Sequence, residues 1–219
     1  MINYDIESLS SLIKKSFDNN EILHLKNFTD FNFFWEEFIK ILDYKYQNAN
    51  IKPENKIPHV PFIRSLANGN YAEIVPTTEN FHYHIWKVLV SKSVDDYIYN
   101  ISDSFSQIFK YFIDYLEYIK EIGIIKASIN FVGNEAVMPT HKDRHSTIFI
   151  QCIGSVSYRM YEGIDGEFED NLNENLPPSA KFKLITLNPG DLLFMPKGQV
   201  HQVVYTEPRA TLLLDLGYN

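Results

Sequence analysis

The chain has 219 residues, of which 45% are hydrophobic, and a formal net charge of −8 at pH 7. This composition excludes a disordered chain and predicts one globular domain with a substantial core. The acidic balance, with no run of Lys or Arg, argues against a duplex-binding groove and so against a nucleic-acid substrate.

Three further features concern the cellular compartment. The single cysteine, Cys152, lies in the apolar run 148–153 and is expected to be a buried hydrophobic residue rather than a reactive thiol. The N-terminus has no basic region followed by an apolar stretch, so no secretory signal is expected. The apolar runs are too short to span a bilayer. Together these features predict a soluble, cytoplasmic protein with no membrane partner.

The first half of the chain, residues 1–122, is predicted to be mainly helical. Apolar residues recur at helical spacing over Ile6–Ile13, as on the buried face of an amphipathic helix. Asp30 is the predicted N-cap of a second helix, whose apolar face covers residues 34–42. Residues 95–120 carry the longest helical pattern, and we expect that helix to pack against a sheet.

Two segments of this half do not have helical spacing. Ile22–Phe28 alternates weakly between apolar and polar residues, which predicts a short strand. Residues 48–80 contain four prolines, with Asn and Gly between them, and are predicted to be irregular. Such a segment is a natural cover for a substrate site.

The pattern changes after Gly123, where short apolar runs alternate with turn residues. The acidic, Pro-containing segment 163–180 is an expected exposed loop. Many short strands at this spacing are typical of a barrel or sandwich. The predicted fold is therefore α+β with a mainly β core: one domain, 1–219, with a helical part packed on a barrel formed by 123–219. The predicted strands are 125–132, 147–153, 156–162, 182–187, 191–195, 200–205 and 210–216.

Two short motifs in the β-rich half predict a metal site. His141 and Asp143 are two residues apart, and side chains at that spacing on a strand face the same side. The stretch Pro189–His201 places glycines and prolines around a short apolar strand, so that His201 opens the next strand. That strand can run beside the one carrying His141.

Two imidazoles and one carboxylate form the facial triad that suits non-haem Fe(II) and leaves cis positions open. Zinc sites more often use three or four His or Cys ligands, and no Cys lies near these motifs. We therefore expect His141, Asp143 and His201 to bind iron at the mouth of the barrel.

Other polar residues near the motifs have weaker signals. His145 shares the strand parity of His141, so it either lines the pocket or is a simple turn residue. His82 and His84 form a His-x-His pair without an accompanying turn motif, and we interpret them as structural or substrate-rim residues. Asp191 follows Pro-Gly and is predicted to stabilise a turn.

These motifs carry a resemblance that covers roughly residues 125–216. Gly190–His201 matches the second motif of the cupin superfamily, GxxxxxPxGxxHxxxN, with Tyr205 in place of the usual Asn. The first motif has His-x-Asp instead of His-x-His, which is similar to the JmjC and cupin-like 2-oxoglutarate oxygenases. Gly133–Gly154, GNEAVMPTHKDRHSTIFIQCIG, also resembles their GN…PxHxD…N/TxxxQxxG region.

The resemblance implies a double-stranded β-helix (jelly-roll) barrel that holds Fe(II) and uses 2-oxoglutarate as co-substrate. It implies hydroxylation of a C–H bond, with succinate and CO2 as co-products, on a protein or peptide residue or on a small molecule. Demethylation shares the same chemistry. The resemblance also implies a homodimer, because JmjC-like hydroxylases often dimerise through helices.

The resemblance leaves two positions for the residue that binds the distal carboxylate of 2-oxoglutarate. Many JmjC hydroxylases place a Lys or Arg fifteen residues after the first metal histidine, where this chain has Val156. Arg159 is close, but its strand parity is opposite and predicts an outward side chain. Other 2-oxoglutarate oxygenases place an Arg eight to ten residues after the distal histidine.

In this chain that second position is Arg209, eight residues after His201. Thr211 shares one strand face with Arg209, and an Arg with a hydroxyl donor suits bidentate carboxylate recognition. Arg209 and Thr211 are therefore the predicted co-substrate anchor, with Thr147 and Tyr158 as further candidate donors.

Two alternatives stay open. A cupin metalloenzyme that does not use 2-oxoglutarate, such as a dioxygenase or isomerase, is favoured by Val156 and opposed by the Arg209 and Thr211 pair. A non-catalytic cupin that binds a sugar or small acid is opposed by the complete His-Asp-His set, because binding alone does not require it.

Overall fold

The computed structural model describes residues 2–34, 85–90, 122–132, 138–164, 176–206 and 209–218. These residues contain one α-helix and ten β-strands. In chain order they are α1 Ile6–Asn19, β1 Leu23–Leu25, β2 Ile85–Val90, β3 Ile122–Val132, β4 Met138–Lys142, β5 Ser146–Ile153, β6 Val156–Tyr161, β7 Phe182–Leu187, β8 Leu192–Met195, β9 Val200–Thr206 and β10 Arg209–Tyr218.

The strands form two antiparallel sheets. The larger sheet has six strands in the order β1-β8-β5-β10-β3-β2, and the smaller has the order β4-β9-β6-β7. Neighbouring strands are mostly distant in sequence, and β10 lies between β3 and β5. This arrangement agrees with the predicted jelly-roll, and the seven predicted strands correspond to β3 and to β5–β10.

The core lies between the two sheets. Side chains alternate along a strand, so each strand presents every second residue to the interior. The larger sheet contributes Phe149, Leu193 and Leu213, and the smaller sheet contributes Tyr158 and Val203. All of these side chains are buried.

Helix α1 covers the outer face of the larger sheet. Asp5 caps its N-terminus by accepting a hydrogen bond from the Ser8 N–H at 2.8 Å, and this bond lowers the pKa of Asp5. Leu9 and Ile13 are fully buried, and Phe17 lies against Phe194, with ring centroids 6.3 Å apart. The helix predicted from Ile6–Ile13 is therefore confirmed, with the apolar spacing as its cause.

The prediction of a mainly helical first half is not supported by the described residues. They hold α1, but also β1, within the predicted strand Ile22–Phe28, and β2, which extends the larger sheet. The predicted helices over 34–42 and 95–120, and the irregular segment 48–80, lie outside the described residues.

The helix expected to begin directly after Asp30 is wrong at its start, because residues 31–34 have no helical structure. The Phe31 N–H donates to Thr29 Oγ1 at 3.2 Å, a local bond that competes with a helical turn. Phe33 is buried and Phe34 is 59% exposed, an alternation that suits extended chain.

The turn before β8 fixes the N-terminal segment to the barrel. Gly190 has φ +90°, and a Cβ there would collide with the Thr29 carbonyl oxygen. The buried Asp191 carboxylate accepts hydrogen bonds from the N–H groups of Asn27 (2.9 Å) and Asn188 (3.0 Å). It also lies 3.4 Å from His24 Nε2. Asp191 therefore stabilises this turn, as predicted.

Two smaller expectations also agree with the structure. Cys152 is 3% exposed, with Sγ 3.5 Å from the Ile150 carbonyl oxygen, as expected of a buried hydrophobic residue. Residues 177–179, at the described end of the segment predicted as an exposed loop, are exposed. In the part of the chain that the structure describes, no helix is long and apolar enough to cross a bilayer.

Candidate metal centre

His141, Asp143 and His201 come together at one end of the barrel. Strands β4 and β9 pair so that His141 lies directly opposite His201, with ring centroids 4.2 Å apart. Asp143 is in the turn just after β4, rather than on the strand itself as predicted. Its carboxylate oxygens lie 4.0 Å from His141 Nε2 and 3.9 Å from His201 Nε2.

The loop between β8 and β9 holds the turn that carries Asp143. The Gly198 N–H donates to the Asp143 carbonyl oxygen at 3.0 Å, and the Lys197 N–H donates to Ser146 Oγ at 3.0 Å. Gly198 has φ +79°, which favours glycine. The Pro-x-Gly part of the motif, residues 196–198, therefore orients Asp143 and also leads into β9, which carries His201.

His201 is prepared as a neutral nitrogen ligand. Its Nδ1 lies 2.9 Å from the Gln199 carbonyl oxygen. Because a carbonyl only accepts, Nδ1 carries the hydrogen and Nε2 presents its lone pair to Asp143 and His141. Burial, and then the nearby His141, lower the pKa of His201 to about 4. The ring is therefore neutral near pH 7, as metal binding requires.

The donor set fits a single metal ion. The three ligand atoms lie within 4.8 Å of one another. In the described part of the chain, these are the His, Cys, Asp or Glu side chains close enough together to share one metal ion. Two cis ligands of one first-row ion at about 2.1 Å are about 3 Å apart, so the Asp143 carboxylate and the two imidazoles, which lie 3.9 and 4.0 Å apart, would move slightly closer around a bound ion. The side chains of His141 and Asp143 are 15% and 35% exposed, so the group opens to one side.

A second polar group lies inside the barrel. Arg209 is 2% exposed and Thr211 is fully buried. Arg209 Nη1 donates to Thr211 Oγ1 at 2.7 Å, and Thr211 Oγ1 donates to Gln151 Oε1 at 2.8 Å. Tyr158 lies close enough to Arg209 for each to shift the pKa of the other. The structure therefore joins Arg209, Thr211 and Tyr158, which the sequence predicted as anchor candidates.

Electrostatics and packing connect this second group to the metal ligands. Burial raises the pKa of Tyr158, and the charge of Asp143 acts in the same direction. The Tyr158 ring lies 6.3 Å from the His201 ring. Burial lowers the pKa of Arg209, whereas Tyr158 acts to raise it, and an arginine remains protonated in proteins. A buried guanidinium of this kind suits bidentate recognition of a carboxylate.

Other residues singled out from the sequence lie elsewhere. Val156 is fully buried in the apolar core. Arg159 points outward as predicted: it lies 5.0 Å from the Phe182 ring centroid, and its Nη1 donates to Gln202 at 3.4 Å. His145 is exposed in the turn after β4, in line with its interpretation as a turn residue. His82 and His84 lie outside the described residues.

Thr147 is separate from the Arg209 group. Its hydroxyl donates to Asp215 Oδ1 at 2.9 Å, and both side chains are buried. Sequence reasoning missed Asp215 and also Gln151. For Gln151 a signal existed, because it is the polar residue of the run 148–153 and shares the strand parity of the inward-facing Phe149.

Comparisons with solved structures find the same fold. The structure of YcfD, a ribosomal oxygenase from Escherichia coli, in complex with cobalt and succinic acid has a TM-score of 0.54 at 15% identity, covering 99% of this chain and 52% of that chain. YcfD in complex with cobalt and 2-oxoglutarate has a TM-score of 0.54 at 14% identity, covering 100% and 52%. Another E. coli ycfD structure has a TM-score of 0.58 at 11% identity, covering 100% and 54%.

This chain therefore spans about half the length of those structures, and at such identities the likeness concerns the fold alone. Among curated proteins, none is significantly similar in sequence. The sequence profile of the JmjC domain, in contrast, matches residues 105–218, more than half of the chain and the part that contains both polar groups. The barrel, the His-Asp-His group and this match agree, and the chain belongs to the JmjC domain family.

Proposed function

We propose that this chain is an Fe(II)- and 2-oxoglutarate-dependent oxygenase that hydroxylates a C–H bond. One observation carries the proposal: a His-Asp-His group and a buried arginine share one barrel interior, and the Tyr158 ring lies 6.3 Å from the His201 ring. YcfD, which is similar in fold, has been solved with cobalt and either 2-oxoglutarate or succinic acid. That pair of ligands is the co-substrate and co-product of the chemistry proposed for this chain.

His141, Asp143 and His201 would hold the iron. Three ligands on one face leave cis positions for a chelating co-substrate and for dioxygen. When bound, iron supplies the oxidising chemistry, in which 2-oxoglutarate becomes succinate and CO2. The neutral Nε2 of His201 and the carboxylate of Asp143 supply the ligand types that this metal takes.

Arg209 would bind the distal carboxylate of 2-oxoglutarate. A guanidinium only donates and a phenol can donate its own hydrogen, so Arg209 and the nearby Tyr158 could both donate to one carboxylate. Val156, at the position where many JmjC hydroxylases have a cation, is enclosed by apolar neighbours. The anchor would therefore come from β10 instead of β6.

The substrate would be a residue in a protein or peptide, or a small molecule. The description of YcfD as a ribosomal oxygenase favours a protein substrate by analogy of fold. A homodimer and a cytoplasmic location remain predictions for the whole protein.

Anaerobic titration of the chain with Fe(II) and then 2-oxoglutarate tests the proposal. We expect a weak visible charge-transfer band, and slow release of succinate once air is admitted. Iron binding without a response to 2-oxoglutarate would instead favour a cupin metalloenzyme of another type. Absence of metal binding would favour a non-catalytic binding module.

A further inference from the structure

We infer that Gln151 is a positioning residue for the co-substrate anchor and acts on Arg209 through Thr211. The inference rests on the proposed function, because it concerns the carboxylate end of 2-oxoglutarate. The hydrogen bonds run from Arg209 Nη1 to Thr211 Oγ1 (2.7 Å) and from Thr211 Oγ1 to Gln151 Oε1 (2.8 Å). Gln151 and Thr211 are both fully buried, so solvent does not compete for these bonds.

The Gln151 amide determines which atom donates and which accepts in each of these hydrogen bonds. Gln151 Nε2 donates to the carbonyl oxygens of Ile153 (2.8 Å) and Gly154 (2.9 Å). Both acceptors are backbone groups next to the turn that joins β5 to β6, and Gly154 has φ +69° there. Because carbonyls only accept, the amide nitrogen must face them and Oε1 must face Thr211.

The hydroxyl of Thr211 then has one allowed orientation. Its hydrogen goes to Gln151 Oε1, which leaves an oxygen lone pair directed at Arg209 Nη1. The β5–β10 register shifts between Ala210 and Thr211, so β5 carries an extra residue at this point. Such bulges redirect side chains, and here the bulge adjoins the Gln151 amide.

These bonds should hold the Arg209 guanidinium in position before 2-oxoglutarate binds. A free arginine side chain loses rotamer entropy when it binds a carboxylate, and a guanidinium already held by Thr211 loses less. Among the described residues, the side chain of Gln151 makes its hydrogen bonds to Thr211, Ile153 and Gly154, not to the metal ligands. Its side chain should therefore affect recognition of the distal carboxylate and leave chelation unaffected.

The backbone of Gln151 has a separate structural role. Its N–H donates to the Asp191 carbonyl oxygen at 3.0 Å, and its carbonyl oxygen accepts from the Gly190 N–H at 2.8 Å. A substitution of the side chain leaves both bonds available, so the positioning role can be separated from the folding of the turn.

The test measures binding to the cobalt-loaded chain by calorimetry, with Gln151→Leu and two probes. 2-Oxoglutarate reports on the distal carboxylate, and oxalate chelates a metal without having that second end. We expect the affinity for 2-oxoglutarate to fall by about tenfold, in line with loss of one buried hydrogen bond. The affinity for oxalate should stay within about twofold, a selectivity that a general loss of structure would not produce.

Coupling to Thr211 provides a second measurement. Thr211→Val should weaken 2-oxoglutarate to a similar extent, the double variant should be no weaker than the worse single variant, and Thr211→Ser should recover affinity relative to Thr211→Val. If Gln151→Leu does not fold, this Val and Ser comparison tests the same link.

Equal weakening of both probes, or independent effects that multiply in the double variant, would overturn the positioning role. A wild-type chain that does not bind 2-oxoglutarate contradicts the proposed function instead. A third outcome is that the wild-type chain binds 2-oxoglutarate tightly, and Arg209→Met weakens this binding but Gln151→Leu does not. That result would support the proposed function and contradict the positioning role of Gln151 alone.

Discussion

Asp143 is the anionic member of the metal group, and its position in a turn separates metal binding from folding. Its side chain is 35% exposed, so Asp143→Asn should leave the metal-free fold nearly unchanged. Loss of even an indirect partner of a metal ligand costs about 10- to 100-fold in affinity. We therefore expect Co(II) affinity to fall by at least about 100-fold, measured by calorimetry. Unchanged affinity would exclude Asp143 as a ligand.

Arg209 can be tested against an arginine on the outer face of the same barrel. Arg209→Met keeps an unbranched apolar chain but removes the charge. Loss of one partner of a buried charged hydrogen bond costs about 2–5 kcal/mol, so 2-oxoglutarate affinity should fall by at least about 30-fold. Arg159→Met is the matched control, because Arg159 faces Gln202 and Phe182. Equal effects in both variants would place the anchor elsewhere.

At the level of single residues, the sequence predicted those whose spacing repeats a strand or a turn. His141, Asp143 and His201 followed from such spacing, whereas Arg209 followed from the resemblance to oxygenases that place an Arg eight to ten residues after the distal histidine. The bonds of Thr211 to Gln151 and of Thr147 to Asp215 join residues 60 and 68 positions apart. No local pattern contains such pairs, so the sequence could not show that Thr147 lies apart from the Arg209 group.

Among the elements, the turn before β8 should be very sensitive to added side-chain volume. Gly190→Ala would force a Cβ into the Thr29 carbonyl and keep φ at +90°. We expect the free energy of unfolding to fall by about 3 kcal/mol. Gly163→Ala is the control, since its φ is +62° with nothing within 4 Å, and it should cost about 1 kcal/mol. Chemical denaturation measures both, and similar losses would contradict the steric explanation.

The strands of the second half were predictable for a physical reason. A strand in this barrel presents alternate residues to the interior and ends at Gly, Pro or Asn, and both signals are local. The helix expected after Asp30 relied on that residue as an N-cap and on the apolar spacing that follows, but the Thr29 hydroxyl holds the Phe31 N–H in a different local bond. Strand β2 was not anticipated, because its residues IWKVLV follow no clear two-residue period.

For the whole molecule, ligand binding should raise thermal stability. A ligand at about 100 times its dissociation constant adds about 2.7 kcal/mol to the free energy of unfolding, equivalent to a rise in Tm of roughly 5–10 °C at this size. We expect this rise with Co(II), and its reversal by a chelator, in calorimetric scans. Asp143→Asn should show almost none of it. A rise of equal size in that variant would indicate metal binding outside the His-Asp-His group.

The place of β10 in the larger sheet also affects how the chain is made. Among the described strands, β10 comes after β5 and β3 in chain order, yet it lies between them in the sheet, and both are synthesised well before it. While residues 209–218 are still inside the ribosome, those two strands have unpaired edges, which are prone to aggregate. The barrel therefore has to close after translation of its final segment, and a nascent chain would benefit from a chaperone until then.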